Sequence, residues 1–215
     1  MQPIEALLLE PVGCLAEFPS APFHEIAVRL FGRKGKSVSS ASLSYWRLLN
    51  FIDAAKTGFD AEKKTLAEEF EVQSVDTASI YEDVVPALAD LRSMGIQLFV
   101  TTSLSRRAAS RLIERNSLGD FFSGVCTRDD AGGVKSAPLL HALDCASLRR
   151  EKTMFLTDTL EGIKVARSVG VHPILMMNDP DEALRLAMHN PAGGIVSLHE
   201  MPDFMRLIVA QNQGG

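Results

Sequence analysis

Apolar and polar positions divide this chain into two kinds of segment. From Tyr81 onward, short apolar runs alternate with stretches whose apolar residues recur at helical spacing, and an apolar run also opens the chain. Strands are predicted at 4–9, 96–100, 124–127, 153–156, 174–177 and 194–196, and helices at 84–94, 105–114, 138–143, 161–169, 181–189 and 200–210. This alternation predicts an α/β fold with a Rossmann-like parallel sheet covered on both faces by helices.

The segment 16–80 has a different pattern. Its apolar residues fall at helical spacing, the pattern breaks at 32–44 and near Gly58, and no strand signal is clear. We therefore predict an all-helical subdomain over 16–80, inserted into a core domain made of 1–15 and 81–215. Its aromatic residues are interpreted mainly as the core of that subdomain; they are Tyr45, Trp46, Phe51 and Phe59.

Composition is that of a globular protein with a full core. Of 215 residues, 46% are hydrophobic and 23% are charged. Lys and Arg number 22 against 27 Asp and Glu, so the formal charge is −5. This acidic balance gives no reason to expect nucleic acid or an anionic membrane as a partner.

Cysteine usage bears on the compartment. Cys14, Cys126 and Cys145 are widely spaced and form no CxxC pair, and the five histidines form no metal-binding pattern. These features favour a reducing cytoplasm. The first apolar run is too short for a signal peptide or a membrane helix.

Ligands in open parallel sheets bind beyond the carboxyl ends of the strands. Four such ends carry polar residues. They are Glu10 to Leu15, Thr101 to Ser103, the loop before Lys135, and Thr157 to Thr159.

In this order, the four strand ends resemble the haloacid dehalogenase-like (HAD) superfamily. The closer resemblance is to its branch with a helical cap after the first strand, which includes β-phosphoglucomutase, phosphoglycolate phosphatase and the haloacid dehalogenases. The resemblance covers nearly the whole chain and is strongest from Tyr81 to Met177. It is carried by YEDVVPALADLRSMGIQLFVTTS and FLTDTLEGIKVARSVGV.

The first motif of the family departs from its usual form. The family has Asp-x-Asp-Gly-Thr-Leu after the first strand, and this chain has LLLEPVGCLAEF. Glu10 stands at the nucleophilic Asp and Val12 at the general acid/base Asp. Gly13 and Leu15 match, and Cys14 replaces the Thr.

The other motifs are closer to the family. Among Thr101, Thr102 and Ser103, we assign Thr102 to the second motif. Lys135 in VKSAPLL takes the place of the third-motif lysine. Thr157 and Asp158 fall on the fourth motif, with Gly162 four residues further on, as in the phosphoglucomutase branch.

The resemblance implies a reaction. The nucleophilic Asp accepts the phosphoryl group, and water then hydrolyses the aspartyl phosphate to release phosphate and free Asp. Mg²⁺ neutralises charge, and the second Asp protonates the leaving oxygen. Glu10 extends the carboxylate by one methylene, about 1.5 Å, and a misplacement of about 1 Å costs on the order of 100-fold in rate. Val12 cannot transfer a proton. A Mg²⁺ site from Glu10, the Val12 backbone carbonyl and Asp158 is compatible with the sequence.

Each residue also has a structural interpretation. Glu10 is interpreted either as one partner of an ion pair with Lys135, as a ligand for metal or phosphate without turnover, or as a catalytic residue. Asp158 either serves the site or caps the helix near Glu161, and Thr102 either contacts phosphate or serves a turn. Val12 and Cys14 are interpreted as packing residues.

Two functions stay open on the sequence, beside a generic flavodoxin-like domain unrelated to the HAD proteins. The first is a HAD-derived pseudoenzyme that binds an anion or an unknown protein partner as a scaffold or regulator. The second is a weak or atypical Mg²⁺-dependent phosphatase acting on a small phosphorylated metabolite. Substitutions at Glu10 distinguish the two functions. Loss of native turnover in Glu10→Gln would mark an enzyme, and a gain of turnover in Glu10→Asp would mark a decayed phosphatase.

Overall fold

A six-stranded parallel sheet forms the centre of the molecule. A computed structural model of the chain describes residues 3–31, 45–46, 48–50, 52–53, 61–178 and 180–213. The sheet has the order β5-β4-β1-β6-β7-β8. Its strands are β1 (Ala6–Leu9), β4 (Gln97–Thr101), β5 (Gly124–Cys126), β6 (Thr153–Thr157), β7 (His172–Met176) and β8 (Gly193–Ile195).

Helices follow the strands as the sequence predicts. They are α1 (Ser20–Phe31), α2 (Ala61–Thr77), α3 (Val84–Ser93), α4 (Arg106–Arg115), α5 (Arg128–Ala131), α6 (Ser136–Cys145), α7 (Leu160–Val169), α8 (Pro180–Ala187) and α9 (Met201–Gln213). The predicted strands and helices outside 16–80 are confirmed, with ends shifted by a few residues.

Strand β1 lies in the middle of the sheet, and all four of its residues are buried. Such a strand is apolar on both faces, because helices cover both sides of a parallel sheet. Leu7 and Leu9 pack in the cluster that includes residues of α3 and α9, whereas Leu8 packs with residues of α6 and α7. Successive side chains thus enter opposite layers of the core.

The strand register brings the predicted site segments to one edge. Leu9 of β1 is paired with Val100 of β4 and with Leu156 of β6. Because all three strands are parallel, the residues that follow them leave the sheet side by side. Glu10, Thr101 and Thr157 are therefore neighbours at the carboxyl edge.

The segment 16–80 is helical in its described parts except at its two ends. There, β2 (Ala16–Glu17) and β3 (Ser79–Ile80) pair antiparallel and form a separate two-stranded sheet. No strand signal is visible in the sequence because a strand of two residues is too short to show a period of two. The domain boundaries near 15 and 80 stay a prediction, and we refer to residues 16–80 as the insert.

A second apolar cluster joins the insert to the core domain. Tyr45 and Trp46 are buried in it, as predicted, whereas Phe51, Phe59 and the breaks at 32–44 and Gly58 lie outside the described residues. On the core side the cluster contains Val12, Leu104, Ala108 and Leu112. The insert therefore packs directly on the first two site segments.

The helices of this protein are short or polar compared with a membrane span. Among the residues placed by the structure, none forms a helix that is long and apolar enough to cross a bilayer.

Candidate functional site

Glu10 follows β1 and is buried at the centre of the site. Its side chain is 4% exposed, and Thr157 Oγ1 donates a hydrogen bond to its Oε2 at 3.1 Å. Burial raises the pKa of Glu10 from 4.5 to about 8, and the negative charge of Asp158 raises it further than the Thr157 hydrogen bond lowers it. At neutral pH the side chain is therefore mostly a neutral carboxylic acid.

Val12 lies beneath the insert. It is 1% exposed and belongs to the apolar cluster that contains Tyr45 and Trp46. The position that holds a proton donor in the family is thus part of a packed apolar surface. Cys14 is fully buried in the main core cluster, which agrees with its interpretation as a packing residue.

The hydroxyl groups after β4 already have partners within the protein. The Leu104 N–H donates to Thr102 Oγ1 at 3.1 Å. Thr102 therefore stabilises the local turn, one of the two roles predicted for it. The Lys135 N–H donates to Ser103 Oγ at 2.7 Å. Among the described atoms, Thr101 Oγ1 is buried without a hydrogen-bond partner.

Lys135 is held in a strained backbone conformation and points to the insert. Its φ is +63° and its ψ is −106°, a backbone conformation that residues other than glycine rarely adopt. Its Nζ donates to Asp53 Oδ2 at 2.7 Å. The alternative that Lys135 forms an ion pair with Glu10 is therefore wrong, because Lys135 forms its ion pair with Asp53 of the insert.

Asp158 follows β6 and lies near Glu10. Asn178, after β7, donates through Nδ2 to Asp158 Oδ2 at 3.3 Å and to the Gly13 carbonyl at 2.7 Å. Thr159 caps helix α7, since its Oγ1 accepts from the Gly162 N–H at 3.0 Å. The alternative that Asp158 caps this helix is therefore wrong.

Gly162 is required by the side chain of Thr157. A Cβ added to Gly162 would lie 1.9 Å from Thr157 Oγ1 and 2.6 Å from Thr157 Cβ. The two residues therefore fit together only if position 162 has no side chain. The Thr157 hydroxyl that approaches Gly162 is the same group that donates to Glu10.

Few donors for Mg²⁺ meet at this edge. Within the described ranges, no group of three or more His, Cys, Asp or Glu side chains is arranged to hold a metal ion. The remaining donors are Glu10, Asp158 and the Val12 carbonyl, oxygen atoms of the type that Mg²⁺ prefers. Mg²⁺ favours ionised carboxylates, whereas burial raises the pKa of Glu10 in the metal-free protein. A Mg²⁺ ion held by these residues would therefore have to displace the Glu10 proton.

A buried ion pair at the same edge was missed in the sequence. Arg128 Nη1 contacts Glu71 Oε1 of the insert and donates to the Ser103 carbonyl at 3.0 Å. The Ser105 N–H donates to Glu71 Oε2 at 2.9 Å. Arg128 directly follows the predicted strand 124–127, so its strand-end position was a usable signal. Glu71 lies in a charged helical stretch and gave none.

Comparison with known proteins assigns the family. The profile of haloacid dehalogenase-like hydrolases matches residues 37–176, more than half of the chain. The chain belongs to this family. The resemblance found in the motifs and the α/β fold are thereby confirmed.

The HAD relatives include several phosphatases. The chain is 29% identical over 111 residues to a ribulose-1,5-bisphosphate 5-phosphatase of Halopiger xanaduensis, covering 50% of this chain and 46% of the relative. It is 27% identical over 118 residues to a phosphoglycolate phosphatase of Pectobacterium atrosepticum, covering 54% and 50%. The chain thus spans about half the length of these curated relatives.

The fold agrees with solved HAD structures. A haloacid dehalogenase-like hydrolase from Streptococcus pneumoniae superposes with a TM-score of 0.70 at 18% identity. The match covers 95% of this chain and 99% of that structure. At this identity the likeness shows the fold alone.

Proposed function

We propose that this HAD family member has lost efficient phosphoryl transfer and serves as a binding or regulatory protein. The observation that carries the proposal is the burial of Glu10 together with the packing of Val12 against residues of the insert. Both positions that perform chemistry in the family are enclosed by protein atoms. Val12, at the position of the family's proton donor, is part of a packed apolar cluster.

The chemistry supports this proposal. A carboxyl group attacks phosphorus only in its ionised form, and the pKa of Glu10, about 8, leaves it mostly protonated at pH 7. Val12 provides no proton for the leaving oxygen, and general acid catalysis is typically worth about 10² to 10⁴-fold in rate. The two losses act on different parts of the reaction. Together they leave little of the family mechanism.

A weak hydrolase is the second candidate, favoured by the phosphatase relatives and by the retained Asp158, Lys135 and Thr102. Its substrate would be a small phosphorylated metabolite, as the names of the relatives suggest. If the protein is instead a regulator, its ligand is an anion or an unknown protein partner. The two candidates differ in whether Glu10 acts as a nucleophile.

The test is an assay of purified protein against a panel of phosphorylated metabolites with and without Mg²⁺. Glu10→Gln and Asp158→Ala serve as background controls. We expect native turnover to equal that of both variants. Turnover of the native protein that both substitutions abolish would overturn the proposal and assign the nucleophile to Glu10.

A restoring variant sharpens the test. Glu10→Asp combined with Val12→Asp returns both family carboxylates to the first motif. A gain in turnover by this double variant would show that the remaining site residues still function. The native protein would then be a decayed phosphatase whose loss lies in the first motif.

A further inference from the structure

The insert contacts the core domain through two carboxylates at the carboxyl edge of the sheet. Asp53 Oδ2 accepts a hydrogen bond from Lys135 Nζ at 2.7 Å, and Glu71 pairs with Arg128. Both cations belong to the core domain and both carboxylates to the insert. The insert therefore neutralises the basic groups that face it at this edge.

The two ion pairs differ in burial. The side chains of Arg128 and Glu71 are 7% and 1% exposed, whereas those of Lys135 and Asp53 are 24% and 58% exposed. Removing one partner of a buried pair leaves an uncompensated charge inside the protein. An ion pair near the surface separates easily because water solvates both groups. The Asp53–Lys135 contact is therefore the one that can open.

Helix α2 of the insert is attached to helix α4 of the core domain by further polar contacts. Arg111 Nε of α4 donates to Asp76 Oδ1 at 2.8 Å, and Arg115 Nη1 donates to the Val75 carbonyl at 2.8 Å. Arg107 lies 3.5 Å from Glu68 on the same side. These contacts run along both helices, so the insert is held on the core independently of Asp53.

A cleft of about 420 Å³ lies beside the Asp53–Lys135 contact. Its walls include Asp53 and Ile52 from the insert and the loop of Gly132, Gly133 and Val134, which leads directly to Lys135. This volume lies within the range of small-molecule sites. A small anion in the cleft would compete with Asp53 for Lys135.

We infer that Asp53 is an internal competitor that occupies Lys135, so that an anion binds at Lys135 only by displacing this carboxylate. The inference goes beyond the proposed loss of turnover, because it concerns binding and requires no reaction. The observations that carry it are the Asp53–Lys135 contact, its partial exposure and the adjoining cleft. The buried Glu71–Arg128 pair stays in place during the exchange.

The test is a titration of the full chain with inorganic phosphate, followed by calorimetry or phosphorus NMR. Asp53→Asn keeps the shape of the side chain and removes its charge. We expect it to raise phosphate affinity by about fivefold, the scale of a partly exposed ion pair. In the same background, Lys135→Ala should abolish the gain.

The matched control is Glu62→Gln. Glu62 is exposed in the first turn of α2. Its replacement by Gln changes the net charge of the insert by the same amount as Asp53→Asn. Its phosphate affinity should equal that of the native protein. Asp53→Ser is a second variant in case Asp53→Asn unfolds.

Three outcomes would overturn the inference. They are equal affinity in Asp53→Asn and Glu62→Gln, a gain that survives Lys135→Ala, and no phosphate binding by any folded variant. Because the readout is binding, its failure is distinguishable from the appearance of turnover in the phosphatase assay.

Discussion

At the scale of single residues, the protonation of Glu10 decides what the site can do. The substitution of Asp by Glu keeps a carboxyl group, and its position after β1 is that of the family nucleophile. The surrounding atoms remove water and place Asp158 nearby, and both effects raise the pKa. Only a weak hydrogen bond from Thr157 opposes them. The same residue type in an open cleft would be ionised.

Replacing Glu10 with Gln should change how stability depends on pH. The folded pKa is about 8 and the ordinary value is 4.5, so the folded protein keeps a proton that the unfolded chain releases. This contribution is fully present below pH 4.5 and is lost as pH rises to 8, on the order of 1 kcal/mol per pH unit. Glu10→Gln should remove that slope, as measured by urea unfolding between pH 5 and 8.

The exposed Glu17 provides the control for this prediction. Glu17→Gln should leave the slope as in the native protein. Parallel stability curves for native protein and Glu10→Gln would contradict the neutral, buried state of Glu10.

At the scale of elements, the site depends on which strand ends meet. The order β4-β1-β6 brings three polar strand ends together, and the following loops carry Lys135 and Arg128 to the insert. The apolar runs predicted these strands because a central parallel strand is buried on both faces. The two-residue strands β2 and β3 escaped prediction because their pairing, and no local pattern, defines them.

The buried pair of Glu71 and Arg128 should be costly to break. Glu71→Gln removes the charge opposite Arg128, and we expect a loss of about 3 to 5 kcal/mol in the free energy of unfolding. Arg111→Ala, which breaks the half-exposed contact with Asp76, should cost at most about 1 kcal/mol. Urea denaturation of both variants measures the difference. Equal losses would show that Glu71 and Arg128 are not held in a desolvated pair.

At the scale of the whole molecule, the insert and the core domain share one apolar cluster. Val12, Leu104, Ala108 and Leu112 come from the core domain and pack with residues of the insert. The same interface contains the arginine contacts of α4 with α2. Burial across the interface should couple the unfolding of the two parts.

The single tryptophan makes this coupling measurable. Trp46 is the only tryptophan of the chain and is buried in the insert, whereas most helices and strands belong to the core domain. In urea, tryptophan fluorescence and far-UV circular dichroism should follow one common transition. Leu104→Ala should move both curves together to lower urea. A fluorescence transition that precedes the loss of circular dichroism would show that the insert unfolds separately.

The alternating strands and helices, the four site segments and the replacement of both first-motif aspartates could be predicted from the sequence. These features are local, since apolar periodicity and short motifs record them within a few residues. The partners of the charged groups could not be predicted, because they are far apart in the sequence and meet only in the folded protein. Lys135 and Asp53 are separated by 82 residues in the sequence, and Arg128 and Glu71 are separated by 57. The neutral state of Glu10 could not be predicted either. The pKa of Glu10 depends on its burial and on the Asp158 charge, and only the folded chain brings these about.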